Sequence, residues 1–342
     1  MPDKARIVAF LSFITQCFYY KLCVMKTEQN LTPHIELNAV IVAVTGNVPL
    51  LLTGPNLALP SGPFETGHRT LEQGLRAWAQ RKSGQTLGYV EQLYTFADRD
   101  RTSAQGRSVS IGYLALVTIA EQSRGPGWSP WYDHFPWEDH RDGQPAMIAK
   151  MIMPMLRAWK NAAPDAKAKR ARGERIDIAF PADARHWNEE LVLQRYELLW
   201  EMGLVAEACA PVRHGTRNKT PARPPPARGG GVSLGLPMPH DHRRIVATAM
   251  ARLRAKIKYR PVVFELLPPT FTLLQLQNTV EALAGLRLHK QNFRRLVETQ
   301  GLVEETDAMT RGASGRPAKL FAFRRKVLQE RAAAGTKLPR SG

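Results

Sequence analysis

Residues Leu37 to Val44 (LNAVIVAV) form an apolar run that is short and rich in β-branched side chains, and the pattern predicts a buried strand. Gly46-Asn47 turns the chain, and Leu50-Leu51-Leu52 reads as the returning arm of a hairpin. Tyr89 to Phe96 and Val109 to Thr118 are two more strand-like runs. Between the two pairs, Leu59 to Leu87 opens with the turn residues Ser61-Gly62 and Thr66-Gly67 and continues as an amphipathic helix. Ala146 to Trp159 predicts a helix with Met147, Met151 and Met155 toward the core, and residues 187–207 predict another that turns at Gly203. Asp165 to Arg175 reads as a charged, Ala-rich connector between them. His240 to Tyr259 predicts a strongly amphipathic helix, with Ile245, Ala249, Leu253 and Ile257 on one face and arginines on the other, ended by Pro261.

The last quarter of the chain changes character. Thr272 is a candidate N-cap for a helix through Leu273, Leu276, Val280 and Leu283, and Gly285 stops it. A short turn leads to a second helix, His289 to Thr299, with Phe293, Leu296 and Val297 expected to anchor it. Leu302 to Glu305 can then pair with Lys319 to Phe323 across a Gly- and Arg-bearing loop. Helix, helix, strand, basic loop and strand make a winged helix-turn-helix. Its second helix offers His289, Lys290, Gln291, Asn292, Arg294 and Arg295 to the bases and phosphates of a major groove. The wing offers Arg311, Arg316 and Lys319 to phosphates or the minor groove. Any one of these cations is as readily a solvated surface charge, and grouping on one helix and one wing favours DNA.

Charge supports that reading. The formal net charge is +18, and residues 240–342 hold 20 Lys and Arg against 8 Asp and Glu. Less than a third of the chain thus has two thirds of the excess, as a polyanion-binding end requires. At 342 residues there is room for two or three domains. Three cysteines, Cys17, Cys23 and Cys209, have no metal-type spacing, and so sparse and odd a set argues against a disulfide framework. Ile7 to Val24 is apolar, but Ser12, Thr15, Gln16 and Lys21 interrupt it and no small-x-small cleavage site follows. Residues 1–33 therefore read as an N-terminal extension, with Met25 as an alternative start, and a cytoplasmic, nucleoid-associated protein without a membrane span is expected. Arg124 to Arg141 crowds Trp, Tyr and Phe among Pro and Gly, either to pack on the core or to stack on a flat ligand such as adenine. His134 and His140 lie six apart, which is no recognised metal-ligand spacing, and no metal is expected. Residues 213–231, rich in Pro, Gly and Arg, read as a flexible loop.

The segment Leu59 to Leu87 resembles the Nudix box, a loop-helix-loop in which glutamates hold Mg²⁺ against a diphosphate. Gly62 opens the pattern, Arg76 falls on its arginine and Trp78 keeps a bulky apolar position. The glutamate positions are His68, Ala77, Gln80 and Arg81, and the closing glycine arrives one residue late, at Gly84. A hard divalent cation needs several oxygen ligands, so these replacements predict loss of the metal and of metal-assisted hydrolysis. The order of strands, loop-helix and strands is the one a Nudix fold requires.

The C-terminal block resembles the NrtR-like, Nudix-related transcriptional regulators, through LRAKIKYRPVVFELLPPTFTLLQLQ, KQNFRRLVETQGLVEET and GRPAKLFAF in that order. The resemblance covers about Leu37 to Phe323 and implies an α+β chain. Residues 34–260 would form a Nudix-like α/β/α sandwich with a helical insertion at about 124–232. Residues 261–325 would be the winged helix and 326–342 a basic tail. It further implies a homodimeric repressor of NAD biosynthesis or salvage genes that binds double-stranded operator DNA. The effector would be ADP-ribose or an NAD-related nucleotide, with Gly62, Gly67 and Arg76 as candidate effector-binding residues and no cofactor. The rival is an active ADP-ribose or nucleoside-diphosphate pyrophosphatase with a nonstandard metal site, since Glu65, Glu72, Glu91, Asp98 and Asp100 remain nearby. A third reading is a general nucleic-acid binder without an effector.

Overall fold

The structure is a computed structural model that describes residues 34–65, 67–84, 86–97, 102–103, 106–119, 127–209, 234–310 and 317–327. The N-terminal extension with Cys17, Cys23 and Met25, Asp98 and Asp100, the 213–231 loop, Arg311, Arg316 and the tail beyond Val327 lie outside the described residues.

The fold is α+β. Strand β1 (His34–Thr45) turns at Gly46 into β2 (Val48–Leu52), and β3 (Ser61–Pro63) follows. Helix α1 is Leu71–Ser83, and β4 (Val90–Phe96), β5 (Thr102–Ser103), β6 (Gly106–Leu116) and β7 (Trp128–Pro130) complete a seven-stranded sheet in the order β4-β6-β1-β2-β7, with β3 on β1 and β5 on β6. Only the β1–β6 pair is parallel among these contacts. Because a strand alternates its side chains, β1 feeds two cores at once. Leu37, Ala39, Ile41 and Ala43 pack with Leu75, Trp78 and Ala79 of α1. Val40, Val42 and Val44 belong to the larger core on the other face, with Ile245, Ala249 and Leu253. The result is an α/β/α sandwich.

The 127–209 segment does more than hang from an edge. It begins with β7, which pairs with β2, and continues as α2 (Trp131–His134), α3 (Met153–Asn161, preceded by a π-helical turn, Ile148–Ile152), α4 (Ala166–Ala179), α5 (Val192–Glu201) and α6 (Ala206–Cys209). The stretch expected to be a connector at Asp165–Arg175 is instead helical. Asp165 caps α4 by accepting a hydrogen bond from Ala168 N at 2.7 Å, and its alanines, lysines and arginines are good helix formers. The helix expected at 187–207 is shorter, with a turn at Gly203, whose φ is +73°. The aromatic cluster is core: Trp131, Phe135 and Trp137 are buried, so they offer no face to a flat ligand.

Helix α7 (His242–Lys256) covers the second face of the sheet. The expectation that its arginines face water fails for two of them, since Arg243 and Arg254 are fully buried. Their partners come from far along the chain. Glu138, also fully buried, accepts from Arg195 (Nε–Oε1 2.6 Å, Nη2–Oε2 2.9 Å) and from Arg254 (Nη1–Oε2 2.7 Å). Arg254 also donates Nε to Leu283 O at 2.9 Å and Nη1 to Glu189 O at 3.0 Å. Tyr132 OH donates to Ala282 O at 2.7 Å. Arg243 donates to the carbonyls of His134 and Leu234 and lies 3.3 Å from Glu207. Among the described residues no helix is long and apolar enough to cross a membrane.

Residues 270–327 complete the chain with β8 (Thr270–Phe271), α8 (Leu273–Ala284), α9 (Lys290–Thr299), β9 (Val303–Met309) and β10 (Lys319–Phe323), in which the three strands run β8-β10-β9. Ala282 and Leu283, whose carbonyls bond to Tyr132 and Arg254, are the end of α8, so this module is docked on the Glu138 cluster. Gly285 closes the join: its φ is +70°, and a Cβ there would collide with Glu138 O, Tyr132 OH and Arg254 Nη2.

Two outcomes follow. Glu138→Gln leaves two buried guanidiniums without a counter-charge, and we expect a loss of about 3–5 kcal/mol in denaturant unfolding; a loss below 1 kcal/mol would mean the cluster is not holding the junction. Burial also holds the imidazoles of His134 and His140 below the ordinary 6.5, so both are neutral in the fold and protonate there mainly on unfolding. The unfolded chain then binds more protons, and stability drops as pH falls from 7.5 through 6.5, by up to about 1.4 kcal/mol per imidazole per pH unit. Burial alone would raise Glu138, but Arg195 and Arg254 outweigh it and hold the carboxyl below its usual range, so Glu138 adds nothing to this window. Thermal unfolding at pH 7.5 and 5.5 checks the sign.

Candidate nucleic-acid interface

The α8–α9 pair is built as a helix-turn-helix with a defined brace. Thr272 Oγ1 accepts from Gln275 N at 3.1 Å while Gln275 Oε1 accepts from Thr272 N at 2.7 Å, a reciprocal cap that fixes where α8 begins. At its other end Gly285 bends the chain. Glu281, buried on α8, then organises the turn: its Oε1 accepts from Leu288 N (3.0 Å) and Gln277 Nε2 (2.8 Å), and its Oε2 from Arg287 Nη1 (3.2 Å). Burial would raise its carboxyl, but these donors outweigh that and lower it. Arg287 also reaches Asp142 at 3.3 Å, which ties the turn to the 127–209 segment. No periodicity or motif marks Glu281, because its partners lie within one turn and its charge reads as surface.

Helix α9 leaves this brace with one apolar side. Phe293 and Val297 are buried; His289, Lys290, Gln291, Asn292, Arg294 and Arg295 are all exposed. The structure thus places five of the six expected residues on one open helix, with His289 at its N-cap. Leu296, expected in the core, is 54% exposed, since the four-residue step from Phe293 to Val297 already fills the contact. At helical spacing Leu296 stands beside Asn292 on the flank of the outward face. The wing departs from expectation as well. Lys319 is exposed but ion-paired with Glu305, and β9 presents Glu304, Glu305 and Asp307 to solvent. The hairpin register matches the expected pairing, with Phe321 opposite Glu305 and Phe323 opposite Val303. Phe323 stacks on Phe264 at 4.3 Å, which seats the wing on the core.

The altered box keeps its shape for structural reasons. Gly62 lies under the Trp78 ring, where a Cβ would sit 3.1 Å away. Gly84, at φ +66°, caps α1 by donating its N–H to Gln80 O. Arg76, a candidate effector ligand, is committed elsewhere: it donates to Leu87 O at 2.6 Å, Gly88 O at 3.1 Å and Glu72 at 2.9 Å. Gly67 is exposed with open space around it. Of the nearby acids, the three among the described residues are each turned to a cation: Glu65 lies 3.9 Å from Arg81, Glu72 is 2.9 Å from Arg76 and Glu91 is 2.6 Å from Lys256. Among the described residues no group of three or more His, Cys, Asp or Glu could hold a metal ion. His134 bonds to Ser129 and Leu236, and His140 to Trp137 O.

A separate groove of about 280 Å³ opens between β4 and α7, lined by Tyr94, Thr95, Phe96, Leu193, Arg244 and Thr248. Arg252 lies over the exposed Tyr94 ring at 5.7 Å, and Arg244 lies 5.9 Å from Phe96 and 2.8 Å from Glu197.

Residues 263–329 match the family model of the NrtR DNA-binding winged helix domain. Over 91 residues the chain is 42% identical to the ADPR responsive transcriptional repressor NtrR of Acinetobacter baylyi, a match that spans 27% of this chain and 36% of that protein. The chain therefore matches little more than a third of the length of that relative. Shewanella oneidensis NrtR complexed with a 27mer DNA is similar over 86% of this chain and 95% of its own, at 20% identity and a TM-score of 0.48. A MutT/nudix family protein from Enterococcus faecalis is similar over 85% and 88%, at 14% identity and a TM-score of 0.46.

The brace gives a local test. Glu281→Gln removes the charge from the hydrogen bond to Leu288 N–H, a loss of about 1.5–3 kcal/mol. We expect the Leu288 amide to exchange with solvent at least about tenfold faster, with α8 amides upstream unaffected; unchanged exchange would refute the brace.

Proposed function

We propose that this chain, which has an NrtR-type winged helix domain at residues 263–329, is a DNA-binding transcriptional repressor that senses a nucleotide. The observation that carries this reading is α9: a helix held by Phe293 and Val297, braced by Glu281, with polar and basic side chains open to a major groove. Gln291 and Asn292 suit adenine edges, and Arg294 and Arg295 suit guanine or phosphate. The protein acts as a homodimer on a roughly palindromic operator, in the cytoplasm, and its targets are NAD biosynthesis or salvage genes. The dimer and these targets rest on the family resemblance. The effector is ADP-ribose or an NAD-related nucleotide, a choice supported by the name of the Acinetobacter relative. The sandwich does not hydrolyse it, because the box positions lack carboxylates and Glu65, Glu72 and Glu91 nearby face cations.

The groove between β4 and α7 is the better seat for that nucleotide than Gly62, Gly67 and Arg76. Its lining includes the exposed Tyr94 ring, over which Arg252 lies, and Arg244, which is paired with Glu197; a base would stack on Tyr94 in place of Arg252, leaving that guanidinium for a diphosphate. Its volume suits one end of such a molecule rather than the whole. Its wall is α7, the helix that also bears Arg254. A nucleotide there shifts DNA affinity only if it binds the DNA-competent arrangement with a different affinity from the other.

The test starts from duplexes selected from a random pool by the purified protein. Arg295→Ala and Asn292→Ala should each weaken the selected duplex by about 1–3 kcal/mol and relax base preference at defined positions. ADP-ribose titrated into the complex should release it. Arg252→Gln should blunt that release, and Gly67→Ala should not; the reverse pattern would return the effector to the box. Selection of no duplex defeats the repressor reading, and Mg²⁺-dependent turnover of ADP-ribose establishes the pyrophosphatase.

A further inference from the structure

The strongest charge imbalance among the described residues outside the C-terminal block has no role in the function proposed so far. Residues 240–342 contribute +12 of the chain's +18, which leaves +6 for everything before them. The helical hairpin α3–α4 with the turn before it, residues 150–179, holds eight Lys and Arg against Asp165, Glu174 and Asp177, a net +5.

Not all eight cations are available. Arg172 donates to Trp159 O at 2.6 Å and stacks on the Trp159 ring, which closes the hairpin. Arg170 pairs with Glu174 at 3.0 Å and Arg175 with Glu201 at 2.5 Å. Lys160 lies half-buried across Gly173, where a Cβ would meet its Nζ at 2.9 Å. Lys150, Arg157, Lys167 and Lys169 remain exposed, without a carboxylate partner among the described residues. Four cations without a carboxylate partner on one hairpin give it a positive field that attracts a polyanion.

The hairpin is also fixed relative to the winged helix. Helix α4 ends at Ala179, whose carbonyl lies 3.4 Å from Arg195 Nη1. Arg195 holds Glu138, Glu138 holds Arg254, and Arg254 holds Leu283 at the end of α8. The turn before α9 is joined to the same segment through Arg287 and Asp142.

We infer that the 150–179 hairpin is a second DNA-binding surface, which contacts the phosphate backbone without reading sequence while α9 reads the bases. The partner is duplex DNA continuous with the operator. The inference rests on the repressor reading. Phosphate contacts release counterions, so each one steepens the dependence of log affinity on log salt by about 0.9.

The experiment uses the full chain and the tightest selected duplex, with the winged helix unaltered. A variant with Lys150→Gln, Arg157→Gln, Lys167→Gln and Lys169→Gln removes only side chains without a carboxylate partner among the described residues, and thermal unfolding verifies that it folds. Its salt slope should fall by about 2–4 and its affinity by tenfold or more near physiological salt, equally on selected and scrambled duplexes. Its base preferences should be unchanged, which separates this surface from α9. Trimming the duplex to the bases read by α9 should remove the difference between variant and unmodified protein. An unchanged slope in the variant overturns the inference while leaving the repressor reading intact. Failure of the unmodified protein to bind any duplex overturns both.

Discussion

The structure depends on one buried carboxylate. Glu138 takes two guanidiniums into a region without water, and each alone would be costly to bury. One negative charge does not balance two positive ones. The remainder is met by carbonyl oxygens: Ala179, Asn188, Glu189 and Leu283 all accept from Arg195 or Arg254. These carbonyls sit on three different parts of the chain, so the charge is satisfied only when α4, the turn before α5 and the end of α8 are all in place. A hydrophobic junction would tolerate sliding. This one has a single arrangement in which its donors are filled, and it thereby fixes the winged helix on the body of the protein.

That constraint decides how a signal can travel. Helix α7 borders the β4 groove through Arg244 and Thr248 and enters the cluster through Arg254. It spans the distance without a flexible joint, and Pro261 follows only after Arg254 has made its contacts. A ligand that moves α7 along or about its axis must either move α8 with it or break charged hydrogen bonds in a dry site. The low-cost response is a concerted shift of the reading module. In a two-fold assembly a small shift of this kind alters the spacing of two α9 helices, the quantity to which a palindromic site is sensitive.

Sequence patterning reached some of this and missed the rest for physical reasons. Strand β1, the Thr272 cap and the Gly285 stop were legible because each is set by neighbours within a few residues. The two-faced core of β1 follows from alternation once the strand is known. Arg243 and Arg254 were misplaced because helical periodicity sorts residues by polarity. It puts any arginine outside unless a distant acid is known to meet it, and Glu138 is 116 residues from Arg254. The same locality hid α4, whose apolar content is low and whose helix rests on capping and propensity. In the box, glycine spacing was legible but its reason was not: Gly62 and Gly84 serve a tryptophan ring and a helix end, and neither needs a nucleotide. Leu296 was assigned inward on spacing alone, whereas Phe293 and Val297 suffice to anchor α9.

The charge on the reading module is less one-sided than the composition suggests. Helix α9 is basic, but β9 beside it presents Glu304, Glu305 and Asp307, and Lys319 is neutralised by Glu305. Acids next to a base-reading helix repel phosphates in every docking except the one that keeps them away from the backbone. They therefore narrow the allowed poses at some expense in affinity. A module arranged in this way gains selectivity from α9 and gives up part of the sequence-independent attraction that most DNA-binding proteins rely on. The attraction has to be restored somewhere that does not loosen the pose. A rigid basic hairpin outside the module, joined to it through Glu138 and Arg254, meets that requirement. In the role proposed for it, the hairpin would add phosphate contacts at a fixed offset, which reinforce the docking that α9 selects instead of competing with it.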